Sequence, residues 1–386
     1  MIRVLFLSQY APRPNTGGIE RVVFNLKTYI TSSSNIAVYT ASLDTGEELE
    51  NHFYLPSWKF ADNLQEIIKH LNIKILVCHI NVGLNIVKEV NKLNRKDLSI
   101  YHHHHHAIVV TPGYCLSAAL YSAKNARGVV KAVKTFLFPI YFLYVMYSVW
   151  YGFYLGVKTG DKYILLSKYF KEDLLRLPFI KRYDKKIVSA TNPHVFTTKN
   201  YKEYEKEKIV LFVGRLHYHD KNIPALLKIW KQIEKNGTDY TLCIVGDGSD
   251  RIRLERDIDH MELKKVRLEG LQKNVVEYYK KSDFLFLTSK EGWGLVLVEA
   301  MEYGCIPFAF DSYSSVKEII VSGKNGFLIP EGKTKLYADK AIKAFLSDRT
   351  ALNEMRRNGY EHIQQFSIQN AVRFWKKLLC ESGVDK

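Results

Sequence analysis

Short apolar runs, each followed by a longer stretch with helical spacing, recur through both halves of the chain, and this alternation restricts it to folds built on parallel sheets. The runs lie at 2–8, 36–40, 73–77, 98–101 and 163–166, and again at 209–214, 240–245, 284–287, 306–310 and 327–329. Parallel strands need a crossover of helical length between them, and strands covered on both faces read as continuous apolar runs. Two α/β, doubly wound parallel sheets in tandem are therefore predicted. The 386 residues suit two domains of roughly 190 residues each. The junction reads near Ala190-Thr191-Asn192-Pro193, which gives domains 1–192 and 193–386, and the charged stretch 199–208 behind it reads as a solvated connection.

Charge narrows the partners. Residues 1–192 hold 24 Lys and Arg against 13 Asp and Glu, whereas the remainder holds 32 against 27, so most of the net +16 belongs to the first half. A basic half suits nucleic acid, an anionic membrane surface or a phosphorylated substrate. No helix-turn-helix, zinc-finger or RNA-binding-sheet pattern accompanies it, which argues against nucleic acid as a partner. The five cysteines, Cys78, Cys115, Cys243, Cys305 and Cys380, form no C-x-x-C pair and fit a reduced cytosolic compartment. The apolar run at the N-terminus is too short for a signal peptide and reads as the first strand.

Residues 135–157 carry no charge over 23 positions, a length able to span a bilayer. Tyr141, Tyr144, Tyr147, Tyr151 and Tyr154 recur at helical spacing within it, so a helix would carry their hydroxyls along one side, as suits an interface. Lys124, Arg127, Lys131 and Lys134 precede the segment, and Lys158 and Lys162 follow it, as expected of a helix resting on anionic lipid. Three readings stand for the basic, Tyr-rich segment 124–162: a buried helix on the first sheet, a peripheral membrane helix, and a spanning one.

The chemistry concentrates in the second half. Glu291 and Glu299 flank Gly292-Trp293-Gly294-Leu295-Val296, between the apolar run 284–287 and a helical pattern opening near Val298. A strand, a glycine-bearing turn and a helix N-terminus make an anion site, because free backbone N–H groups and the helix dipole point at its contents. Carboxylates beside such a site suit a ligand with phosphates and hydroxyls. Gly214-Arg215 follows another strand, with Lys221 just before the next helix, so two cations at a strand-to-helix turn are placed to clamp a diphosphate. In the first half, Asn15-Thr16-Gly17-Gly18 precedes a helix from about Glu20, where glycines let backbone approach a ligand closely.

Together with Asn192-Pro193, Val245-Gly246-Asp247-Gly248, Pro307 to Asp311, Glu318-Ile319-Ile320 and Gly326 to Pro330, these pieces resemble family 4 of the retaining glycosyltransferases over most of the chain. The resemblance implies the GT-B fold, two Rossmann-like domains facing a central cleft, with the last helix, about 366–380, packing back on the first domain. It implies that Arg215 and Lys221 bind the diphosphate of a nucleotide-sugar, Glu291 the sugar hydroxyls and Glu299 the ribose. Gly214 and the backbone of Gly292, Trp293, Gly294, Leu295 and Val296 would help hold the donor. Gly17 and Gly18 would close on the diphosphate, and the loop from Gly270 to Val276 would sit beside the base. The family retains anomeric configuration, so Glu291 and Glu299 are not expected to act as a glycosidase pair. The Ala309-Phe310-Asp311 and Glu318-Ile319-Ile320 variants look more like users of UDP-sugars than of GDP-mannose.

His102 to His106 form an internal run of five after the strand at 98–101. In the family a histidine at such a strand end reaches the donor sugar or reaction centre, and His105 or His106 is the expected one; the others would be loop residues or a surface metal tract. Asp257-Ile258-Asp259 is a literal D-x-D inside a charged helical stretch and reads as surface, so neither a metal nor another cofactor is expected in the reaction. The function implied is transfer of a hexose-type sugar to a glycan or lipid-linked acceptor in cell-surface polysaccharide, O-antigen or capsule assembly. The expected place is cytoplasmic, peripheral at the inner face of the plasma membrane. A GT-B epimerase or phosphorylase, a basic nucleic-acid-binding protein and an inactive scaffold are the rival readings.

Overall fold

The computed structural model describes residues 1–381 apart from 15, 16, 33, 34, 56–58, 80–83, 108–111 and 127. It divides into two compact units, residues 1–193 with 368–386, and residues 194–367. Asn15, Thr16 and Arg127, named above for the glycine-rich loop and the basic segment, lie outside the described residues.

The first unit carries β1 (Ile2–Ser8), β2 (Ile36–Ser42), β3 (His52–Tyr54), β4 (Ile75–Cys78), β5 (Ser99–His104), β6 (Lys162–Leu165) and β7 (Ile187–Ser189). They form one parallel sheet in the order β3-β2-β1-β4-β5-β6-β7. The second unit carries β8 (Glu207–Val213), β9 (Thr241–Val245), β10 (Val266–Gly270), β11 (Ser282–Leu287), β12 (Ile306–Asp311) and β13 (Phe327–Pro330). Their order is β10-β9-β8-β11-β12-β13, again parallel. The first strand of each unit thus lies between its second and fourth, the doubly wound arrangement in which the chain runs outward both ways from a central switch point.

The central strands are apolar because helices cover both faces. In the second unit Phe284, Phe286, Phe308 and Phe310 are buried with Tyr337 and Trp230 in one cluster. In the first, Leu5, Leu7, Leu76, Cys78 and Ile100 are buried with Leu64 and Ile68 of the helix Phe60–His70. The helix Ile368–Glu381 belongs to the first unit, where its Trp375 ring lies 5.9 Å from Phe6. At the start of the second unit the buried Glu302 carboxylate accepts from His194 Nε2 at 2.6 Å, Thr197 N at 2.6 Å and Thr197 Oγ1 at 2.8 Å. The stretch 199–208 is not merely solvated: Lys206 Nζ donates to the carbonyls of Tyr279 and Tyr303, and its last two residues open β8.

Two expectations change. The histidine run is not a loop, since His102, His103 and His104 are β5 residues paired with Tyr163, Ile164 and Leu165 of β6. The uncharged segment forms the helix Phe138–Thr159, long and apolar enough by composition to cross a membrane. Its tyrosines do not form one exposed stripe. Tyr141 donates to Ser122 Oγ at 2.8 Å, and Tyr154 accepts from Arg182 at 3.2 Å. The exposed face is instead Ile140, Leu143, Tyr144 and Tyr147, continuing Phe136 and Leu137, while Gly156 and Val157 at the other end are buried.

The loop after β9 shows why glycine is needed there. Gly246 has φ of 140°, and a Cβ on it would collide with the Gly214 carbonyl oxygen. Gly246→Ala is expected to destabilise the second unit by about 2 kcal/mol or more in urea denaturation. A change within about 0.5 kcal/mol would contradict that close approach.

Candidate active site

Ligands of open parallel sheets bind beyond the carboxyl ends of the strands, where the order reverses, and in the second unit that point lies between β8 and β11. The loops leaving these two neighbours are tied to each other. Thr288 Oγ1 donates to the Lys221 carbonyl at 2.9 Å, and Asn222 Nδ2 donates to the Thr288 carbonyl at 3.3 Å. Asn222 takes the left-handed conformation, φ 47°, directly before the helix Ile223–Lys235, a backbone state that asparagine tolerates better than most residues. Across this tie, Lys221 Nζ meets Glu291 Oε1 at 2.6 Å, and Ser289 Oγ donates to the same oxygen at 2.6 Å. Both charged side chains are mostly covered. Glu291 Oε2 has no hydrogen-bond partner among the described residues, so one carboxylate oxygen remains as an acceptor.

Three successive loops line up beside this pair. Gly214 N donates to the Val245 carbonyl at 3.0 Å, Leu216 N to the Asp247 carbonyl at 2.9 Å, and Gly246 N to the Gly270 carbonyl at 2.8 Å. A Cβ on Gly214 would lie 3.3 Å from Lys221 Cε, so the glycine leaves room for the lysine side chain. Arg215 next to it is exposed and makes no ion pair among the described residues. A cation beside donor backbone, with its guanidinium unspent, suits an anionic ligand.

Glu291 lies four residues beyond the last residue of β11, Leu287. Gly294, at φ 98°, stands immediately before the helix Leu295–Glu302, so Leu295 and Val296 present first-turn N–H groups with no capping side chain. Trp293 is buried with its ring 5.1 Å from Phe366, and Ser315 Oγ donates to the Gly292 carbonyl at 3.1 Å, which fixes the turn from behind. Tyr313 is buried beside this turn, and a Cβ on Gly294 would stand 2.9 Å from its hydroxyl. Burial, and then the Glu291 charge, push the Tyr313 phenol well above its usual pKa, so it is a neutral hydroxyl, unpartnered among the described residues.

Glu299 has a separate neighbour. Its Oε2 accepts from the Tyr279 hydroxyl at 3.0 Å, and Tyr279 stacks on Tyr303 with centroids 6.2 Å apart. Asp257 of the D-x-D accepts from the Tyr218 hydroxyl at 2.6 Å, a structural use. In the first unit, Gly18 opens the helix Gly18–Ser32, and the Arg21 N–H reaches back to the Gly17 carbonyl at 3.1 Å. His105 is buried against His79, 3.0 Å between ring nitrogens, whereas His106 is exposed. Ser289, Tyr279 and Tyr313 escaped sequence reasoning; Tyr313 stands two residues beyond the Pro307 to Asp311 piece, and that adjacency was the only signal.

Residues 196–362 match the family model described as Glycosyl transferases group 1. This stretch is a group 1 glycosyltransferase domain. It contains Arg215, Lys221, Glu291 and Glu299. The chain is also 32% identical over 182 residues to the amylovoran biosynthesis glycosyltransferase AmsD of Erwinia amylovora, covering 47% of this chain and 48% of that protein. It is 29% identical over 207 residues, 53% of this chain and 57% of the relative, to a Campylobacter jejuni α-1,4-N-acetyl-D-galactosaminyltransferase whose name specifies a GalNAc-bearing diNAcBac-PP-undecaprenol. The chain thus spans about half the length of these relatives. In fold it is similar to the pneumococcal O-GlcNAc transferase GtfA, solved with UDP and GlcNAc, at 13% identity and a TM-score of 0.73 over 100% of both chains. The group 1 domain and the first unit, each on its own parallel sheet, give the chain the GT-B fold class.

Because the Lys221–Glu291 pair still touches solvent, its loss is expected to cost little. Glu291→Gln in the group 1 domain should lower stability by about 1 kcal/mol or less. A loss above about 3 kcal/mol would mark the pair as a structural strut and not a ligand site.

Proposed function

We propose that the chain is a retaining glycosyltransferase that moves a hexose-type sugar from a nucleotide-sugar, UDP-linked in preference to GDP-linked, to a glycan or lipid-linked acceptor. The assembly of cell-surface polysaccharide, O-antigen or capsule is the setting that this chemistry suits. One observation carries the reading: at the switch point of a group 1 domain, Lys221 is held 2.6 Å from Glu291 with Arg215 exposed beside them. Cations suited to a diphosphate and a carboxylate suited to hydroxyls therefore come from the same two neighbouring loops.

In this reading Arg215 and Lys221 take the diphosphate and neutralise charge as the sugar–phosphate bond breaks, without a metal ion at the phosphates. Gly214 and the amides of Gly292 to Val296 complete the phosphate and sugar contacts. Glu291 holds sugar hydroxyls and Glu299 the ribose. The bond from the anomeric carbon to the leaving phosphate breaks as the acceptor oxygen bonds to the same face, and the acceptor proton passes to a phosphate oxygen. The naming of UDP beside GtfA and of an undecaprenol-linked glycan in the C. jejuni relative supports the donor and acceptor classes.

The helix Phe138–Thr159 supports a peripheral place on the cytoplasmic face of the plasma membrane. Ile140, Leu143, Tyr144 and Tyr147 form an exposed apolar face, and Lys124 and Lys131 are exposed on the preceding helices. Its other end packs against protein, with Phe153 5.3 Å from His104 and Trp150 6.2 Å from Phe179, which suits a helix lying on lipid and not crossing it. The protein is expected to pellet with anionic liposomes at low salt, and Ile140→Glu with Leu143→Glu to remain in the supernatant. Equal pelleting of both would refute this surface.

A panel of nucleotide-sugars tested for thermal stabilisation and slow donor hydrolysis tests the enzyme reading; a response confined to UDP-sugars is expected, and none to any donor would overturn it. Glu299→Ala should raise the donor KM about tenfold with little change in kcat.

A further inference from the structure

The histidine run separates by the period of a strand. His102 and His104 face Tyr163, with ring centroids 6.4 and 6.3 Å away, whereas His103 and His105 face the other side of the sheet. There they meet His79, which directly follows β4, the strand that pairs with β5. His79 Nδ1 lies 3.0 Å from His105 Nε2 and 3.1 Å from His103 Nδ1, and one ring nitrogen from each residue falls within 4.8 Å of the others. All three residues are buried. Phe6 packs on His79 at 4.7 Å, and Trp375 covers His103 at 5.3 Å and His79 at 6.0 Å.

Hydrogen bonding alone does not account for this cluster. A ring nitrogen offers one in-plane donor or acceptor, so only one of the two short contacts at His79 Nδ1 can be a hydrogen bond. The other brings two polar atoms together with nothing between them, in a place where an unmet polar group costs about 1–3 kcal/mol. A single cation among the three nitrogens satisfies every inward lone pair at once. Nitrogens at about 2.0–2.1 Å from a tetrahedral ion stand about 3.4 Å apart, near the 3.0 and 3.1 Å found from His79 Nδ1 to His105 and His103.

We propose that His79, His103 and His105 form a tris-imidazole site for one divalent transition-metal ion, zinc being the best match, at the carboxyl end of the first unit's sheet. Three imidazoles with no thiolate select a borderline metal over magnesium or calcium, and leave a fourth position for water or another ligand. The outer nitrogens, His79 Nε2, His103 Nε2 and His105 Nδ1, have no partner among the described residues. Ring packing against Phe6 and Trp375 therefore orients the ligands in place of the usual hydrogen-bonded acceptors, and the ion should be removable by EDTA. The site does not depend on the donor chemistry assigned to the second unit.

The test uses the full chain made without an affinity tag, stripped with EDTA and reloaded with zinc or cobalt alone. One zinc per chain by elemental analysis, the intense visible absorption of tetrahedral cobalt, and a Tm raised by about 5 °C at roughly a hundredfold excess over Kd are expected. His103→Ala should lose the ion and the cobalt spectrum, while His106→Ala, at the exposed end of the run, should keep both. If His103→Ala fails to fold, the wild-type Tm with and without metal decides. Substoichiometric zinc with no Tm shift in the wild type would overturn the proposal, as would metal lost from His106→Ala but kept by His103→Ala. These readouts are independent of glycosyl transfer, so this site and the transferase reading fail separately.

Discussion

The contact between the Lys221 ammonium and the Glu291 carboxylate joins the loops that leave β8 and β11, and the candidate site is organised around it. Each partner neutralises the other at a place that still touches solvent, so the contact sets geometry more than stability. The Thr288 hydroxyl, donating to the Lys221 carbonyl, sets the spacing, so the pair does not have to hold the loops alone. Lys221 retains further N–H donors for a phosphate, and Glu291 Oε2 remains for a hydroxyl. The glycines serve the same end, since Gly214 clears the lysine side chain and Gly246 lets the next loop lie against Gly214.

The fold was legible where burial is symmetrical. Strands β1, β4, β5, β8, β9, β11 and β12 have neighbours on both sides, and their apolar runs stand out without any partner being known. Three edge or near-edge strands did not stand out. β3 and β7 are three residues long, and β10 has no fully buried residue, so its Arg267 and Glu269 blur the pattern. Edge strands need less apolar surface, and their sequences show less. The tyrosine spacing shows a related limit: periodicity gives one side of a helix, on which Tyr147, Tyr151 and Tyr154 neighbour one another, but not which part of it the rest of the chain covers.

Within the site, the charged residues were legible as types at turns, but their pairing was not. Lys221 and Glu291 are 70 positions apart, and only the strand order makes their loops neighbours. Ser289, Tyr279 and Tyr313 orient or border the carboxylates through single hydroxyls, which carry no spacing signal. The histidine run was the reverse case. Five identical residues looked like one tract, yet strand alternation gives His102 and His104 one environment, His103 and His105 another, and leaves His106 exposed.

The central claim is that Lys221 and Arg215 hold the donor's diphosphate while Glu291 reads its sugar. Calorimetric titration of UDP, and then of a UDP-sugar, into the wild type and the Lys221→Ala, Arg215→Ala and Glu291→Ala proteins tests it directly. The account predicts that either cation variant weakens UDP itself by at least about tenfold. It also predicts that Glu291→Ala leaves UDP nearly unchanged and weakens only the UDP-sugar. Wild-type affinity for UDP in Lys221→Ala and Arg215→Ala would contradict it.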